Sequence, residues 1–164
     1  MNARALEAVA LLARDRPDWQ YIHLTGASDE AKVRAAYGDL SRRAFVRGFH
    51  SDMATVYSAA DFVVARAGAN TVMEIRRMGR PALLVPFPYA TDDHQTANAK
   101  FLEQTGSVRV VQERDLSVEA FLSILKTLPD VRALRSQAAE RLAHAGSEML
   151  TAAKRAADLI MEAK

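Results

Sequence analysis

Short apolar runs alternate with segments of helical period along this chain. Ala5, Val9 and Leu12 recur at helical spacing, and Pro17 closes that segment. Trp19 to Thr25 is β-prone and ends at Gly26. Glu30 to Tyr37 reads as a helix capped by Asp29 or Ser28, and Ala44 to Arg47 as a short strand. Ser51 and Asp52 are placed to cap a helix running to about Ala60. Phe62 to Ala65 is an apolar strand, the turn Arg66 to Ala69 follows, and a helix runs from about Asn70 to Met78, ended by Gly79. Pro81 to Val85 is a further strand. The loop from Pro86 to Asp93 holds two prolines and is long for a βα connection. Gln95 to Thr105 predicts a helix, Ser107 to Val111 a strand and Val118 to Leu128 a helix. A helix from Pro129 and Asp130 to about His144, and a last one after Gly146 to about Ala163, complete the pattern.

The strands are short and apolar without alternation, which suits a parallel sheet covered on both faces. The expected fold is therefore α/β: a Rossmann-like, doubly wound parallel sheet with extra C-terminal helices, in a single domain spanning residues 1–164.

Composition narrows the function classes. Apolar residues make up 49%, enough for a sizeable core. The 22 Lys and Arg nearly balance the 20 Asp and Glu, so nothing suggests a nucleic-acid partner. With no cysteine, a disulfide scaffold, a thiol nucleophile and thiolate metal sites are excluded. No apolar run reaches the roughly 20 residues of a membrane span, and Glu7 and Arg14 interrupt any signal-peptide core. A cytoplasmic domain is expected.

In open α/β sheets ligands sit outside the carboxyl ends of the strands. Three loops qualify: Gly48 to Asp52, Arg66 to Glu74, and Pro86 to Asn98. In the second, Gly68, Ala69, Asn70 and Thr71 put small residues before a helix N-terminus, a ready anion site. Glu74, one turn on, suits a ribose diol; Thr71 to Glu74 equally matches a capping box, in which Glu74 bonds back to the cap. Spacing alone leaves both open. In the third loop, Asp92 or Asp93 caps a helix, and Gln95 and Asn98 share a helix face suited to sugar hydroxyls. No further carboxylates gather to make the Asp pair a metal site. His23, His50, His94 and His144 match no zinc spacing; His23 reads as a core residue and His144 as a helix-end charge. No P-loop, G-x-G-x-x-G or G-x-S-x-G is present, and no serine has an evident base.

The joint pattern of Arg66 to Glu74 (RAGANTVME), Gly79 to Pro88 (GRPALLVPFP) and Asp93 to Ala99 (DHQTANA) resembles the donor-binding half of the MurG family of GT-B glycosyltransferases. The resemblance extends from about Arg4 to Glu162. It implies an inverting transfer of N-acetylglucosamine from UDP-N-acetylglucosamine (UDP-GlcNAc) to a lipid-linked muramoyl pentapeptide, lipid I to lipid II, without metal or other cofactor. It further implies that Gly68, Ala69 and Thr71 hold the diphosphate, and that Glu74 binds the ribose hydroxyls. Gln95 would bind the sugar hydroxyls, with His94 and Asn70 close by. The Gly48-Phe49-His50 turn would present backbone groups to uracil, with Met53 lining that pocket; the family more often carries Pro-Phe-aliphatic there. No residue of this chain is expected to be the catalytic base.

The match begins after the family's acceptor-binding domain and after a first strand and glycine-rich loop. The expectation is a truncated donor domain, inactive alone, with the acceptor handled by a missing N-terminal domain and with self-association through an exposed sheet edge. The intact enzyme would lie peripherally on the cytoplasmic face of the plasma membrane. Rival readings are another GT-B UDP-sugar transferase such as a diacylglycerol glycosyltransferase, a UDP-GlcNAc 2-epimerase, or a non-catalytic UDP-sugar-binding module.

Overall fold

The computed structural model describes residues 1–90, 93–128 and 133–143. In chain order its elements are α1 (Asn2–Asp15), β1 (Tyr21–Leu24), α2 (Glu30–Ala36), a 3-10 turn at Gly38–Arg43, β2 (Ala44–Arg47) and α3 (Met53–Ala59). There follow β3 (Val63–Ala65), α4 (Ala69–Met78), β4 (Ala82–Leu84), α5 (His94–Glu103), β5 (Val108–Val110), a 3-10 turn at Glu113–Asp115 and α6 (Val118–Lys126). Residues 133–143 are helical as well. The last expected helix, with Thr91, Asp92 and His144, lies outside the described residues.

The chain divides into two compact units, Met1–Ala60 with Gln112–Pro129, and Asp61–Val111 with Asp130–Lys164. In the first, β1 and β2 pair in parallel, with Tyr21 opposite Ala44 and Leu24 opposite Arg47. Val33 and Tyr37 of the α2 segment pack with Val46 of β2 in the core, and Leu6 and Val9 of α1 close over them. The helical spacing read from the sequence is thus the spacing that fills this core. Lys126 of α6 and Asp15 at the end of α1 form an ion pair at 2.8 Å. His23 is half-buried within β1 between Tyr37 Oη at 3.2 Å and Asn2 Oδ1 at 3.3 Å. Burial pushes its imidazole pKa down, which fits the core role expected of it.

In the second unit β3, β4 and β5 form a parallel sheet with β4 in the centre. Every residue of β4 is buried, as the unalternating apolar run requires. Val72 and Ile75 give α4 its buried face. Gly79 ends α4 in the left-handed region at φ 60°, and a Cβ there would meet Ala139 Cα at 2.7 Å. Only glycine satisfies both constraints. Parallel ladders flanked by helices are the α/β architecture the sequence predicts. Among the described residues no helix is long and apolar enough to cross a membrane.

Candidate functional site

The turn between β3 and α4 starts from one buried residue. Ala67 is fully buried, so both its backbone polar groups need partners within the protein. Its N–H donates to Gln95 Oε1 at 3.3 Å, and its carbonyl accepts from Asn98 Nδ2 at 3.3 Å. Gln95 Oε1 also accepts from the N–H of Phe87 at 3.0 Å. One amide oxygen at the start of α5 therefore joins the loop after β3 to the loop after β4. Arg66 adds to the seam: its Nη1 donates to the carbonyl of Pro86 at 3.2 Å, and its guanidinium lies over the Phe87 ring at 5.3 Å.

Beyond Ala67, Gly68 takes the N-cap of α4 with an extended backbone, φ −62° and ψ 150°. No side chain caps the helix. The N–H of Val72 bonds back to the carbonyl of Gly68, while those of Ala69, Asn70 and Thr71 have no acceptor among the described residues. Three converging donors and the positive end of the helix dipole face outward there. The capping-box alternative for Thr71 is thereby corrected. Thr71 is the third residue of the helix rather than its cap, so Glu74 lies too far along to reach back to the cap.

Glu74 is half-buried on the turn above Asn70 and Thr71, with no hydrogen-bond or ion-pair partner among the described residues. Gln95, also half-buried, commits its oxygen to two backbone donors and leaves Nε2 free of any partner among them. His94 is exposed as the first residue of α5. Asp93 takes the N-cap of α5 in the left-handed region at φ 52°, and its carboxylate accepts from Thr96 Oγ1 at 2.6 Å instead of capping an N–H. The second unit thus brings Gly68, Ala69, Asn70, Thr71, Glu74 and Gln95 into one neighbourhood. Asn98 joins the same neighbourhood through its Nδ2, which donates to the Ala67 carbonyl.

The first unit holds the remaining predicted residues. The N–H of Gly48 donates to Glu30 Oε2 at 2.7 Å, and its carbonyl accepts from Gly26 at 3.0 Å. A Cβ on Gly48 would come within 3.0 Å of Ala27 Cα, so the turn after β2 is held close to the turn after β1. That N–H, with Arg34, lowers the Glu30 pKa. Phe49 stands 77% exposed at the tip of the turn. His50 stacks edge-on against Phe45 at 6.1 Å and accepts from the N–H of Asp52 on Nδ1 at 3.1 Å. Asp52 in turn caps α3, accepting from Thr55 N at 3.0 Å, as its sequence position predicts. Met53, first in α3, is half-buried. Glu30 is the contributor that sequence reading missed: its bond to Gly48 spans 18 residues and belongs to no periodic pattern.

A model of the glycosyltransferase family 28 C-terminal domain matches residues 1–160. The chain is 43% identical over 145 residues to the UDP-N-acetylglucosamine--N-acetylmuramyl-(pentapeptide) pyrophosphoryl-undecaprenol N-acetylglucosamine transferase of Thiobacillus denitrificans, covering 87% of this chain and 39% of the relative. The identically named protein of Anaeromyxobacter sp. strain K is 38% identical over 162 residues, 99% of this chain and 42% of its own length. Among solved structures, MurG of Acinetobacter baumannii superposes with a TM-score of 0.76 at 34% identity, over 87% of this chain and 41% of that one. The glycosyltransferase VinC, solved in complex with dTDP, has a TM-score of 0.61 at 21% identity, over 93% of this chain and 37% of that one, and shares the fold. The chain spans about two fifths of the length of these relatives.

Proposed function

The chain belongs to the glycosyltransferase family 28 C-terminal domains, and from that premise we propose that it binds UDP-GlcNAc as the donor half of an N-acetylglucosaminyltransferase. The observation that carries this reading is the uncapped N-terminus of α4, where the N–H groups of Ala69, Asn70 and Thr71 have no acceptor among the described residues. Such donors at a helix N-terminus suit a diphosphate. The Thr71 hydroxyl and the small residues Gly68 and Ala69 let it approach. Glu74 accepts from the ribose hydroxyls, and Gln95 Nε2 donates to a sugar hydroxyl with its oxygen already anchored. Asn70 and His94 flank these groups.

In the whole protein the reaction is the one its relatives are named for: transfer of N-acetylglucosamine onto a lipid-linked muramoyl pentapeptide, at the cytoplasmic face of the membrane. Bond breaking leaves growing negative charge on the UDP oxygen. The α4 N–H groups and Thr71 stabilise that charge, and because they are fixed in place they do so without reorganising. We assign the acceptor's proton to no described residue of this chain. On this reading donor binding needs no metal, the charge on the diphosphate being met by the α4 N–H groups.

Calorimetric titration of the purified chain tests the reading. UDP-GlcNAc is expected to bind more tightly than UDP-glucose, with the same affinity in EDTA as in magnesium. Preference for UDP-glucose would move the chain to another UDP-sugar transferase, and binding of no nucleotide would overturn the proposal.

A further inference from the structure

Gln95 and Asn98 sit one turn apart on α5 and look in the sequence like a matched pair of sugar-binding amides. Their hydrogen bonds give them a further role. Both reach the same residue, Ala67: Gln95 takes its N–H and Asn98 its carbonyl, each at 3.3 Å. Ala67 is fully buried, so water cannot replace either partner. A carbonyl only accepts, so the nitrogen of the Asn98 amide must face it, and the side chain is fixed in that orientation. Ala67 immediately precedes Gly68, the N-cap of α4. Two side chains of α5 therefore grip both polar groups of the residue that leads into α4.

We infer that Asn98 is a positioning residue for the donor diphosphate: by holding the Ala67 carbonyl it sets the direction of the first turn of α4. This rests on the function proposed above. Through Ala67 the Asn98 amide acts on the N–H groups of residues 69–71.

The test uses Asn98→Asp, which keeps the shape but turns an anionic acceptor toward the Ala67 carbonyl, with Asn98→Ser as the milder variant should the first fail to fold. Affinities for UDP and UDP-GlcNAc are measured by calorimetry, and amide hydrogen exchange is followed without ligand. Both affinities are expected to fall by the same factor, about tenfold for one lost buried hydrogen bond. Exchange is expected to quicken at the bonded amides of Ala67 and Val72 and to stay unchanged in β3, β4 and β5. Weakened UDP-GlcNAc binding with unaltered UDP binding would make Asn98 a sugar contact and overturn the inference. A general loss of protection with a lowered melting midpoint would overturn it too, as the mark of a merely structural residue. Failure of the wild-type chain to bind either nucleotide would instead overturn the functional reading and take the ligand role of Asn98 with it; exchange at Ala67 and Val72 would still read the clamp itself.

Discussion

Ala69→Asp is expected to abolish most donor binding while leaving the chain at least as stable as before. Ala69 is the exposed first residue of α4. An acidic side chain there complements the helix dipole and stabilises the helix by about 0.3–1 kcal/mol. A diphosphate seated on the same N–H groups would meet that carboxylate as a like charge. At about 4 Å and an effective dielectric constant of about 20 the repulsion is about 4 kcal/mol before screening by solvent and salt. We expect UDP-GlcNAc affinity to fall by about a hundredfold or more once screening is allowed for, with the thermal midpoint level or slightly raised. The opposed signs make the test discriminating, since general damage lowers both. Affinity within a factor of three of the wild type would mean that the phosphates sit elsewhere.

Glu74→Ala comes second in size. A carboxylate accepting hydroxyl hydrogen bonds contributes about 1.5–3 kcal/mol each, so the loss in UDP affinity is expected to be about thirtyfold. The midpoint should scarcely move. Glu74 has no partner to lose among the described residues, and the helix start at Gly68 removes it from any cap. A nucleotide lacking the ribose hydroxyls supplies the control: 2′,3′-dideoxy-UDP should bind wild type and variant equally. If the variant weakens both nucleotides alike, the carboxylate does not serve the ribose.

These two residues also show how much the sequence could carry. The bounds of α4 were legible to within one residue, because Gly79 stops the helix and Val72 and Ile75 mark its buried face. Its cap was not. Thr71-Val72-Met73-Glu74 and Gly68-Ala69-Asn70-Thr71 offer two starts three residues apart, and local spacing does not choose between them. Packing chooses: with Ala67 pinned from α5, Gly68 is where the extended chain turns into the helix. The strands read correctly for a similar reason, since Ala82, Leu83 and Leu84 are apolar without alternation and are buried on both faces. The joint motif revealed the family because it spans three separate segments at once. What no local pattern could reveal are the bonds that shape those loops: Gln95 to Ala67 spans 28 residues, Asn98 to Ala67 spans 31, and Glu30 to Gly48 spans 18. Asn98 was therefore legible as an amide on the correct helix face, but not as a partner of the backbone.

The central claim is that the donor's diphosphate rests on the first turn of α4. Backbone amide NMR of the ¹⁵N-labelled chain, titrated with UDP-GlcNAc, reads those N–H groups directly. The account predicts saturable downfield proton shifts at Ala69, Asn70 and Thr71, the mark of amides that gain a charged acceptor, reproduced by UDP alone and absent in Ala69→Asp. Saturable binding that leaves these three amides unmoved and shifts a different set of residues would contradict it.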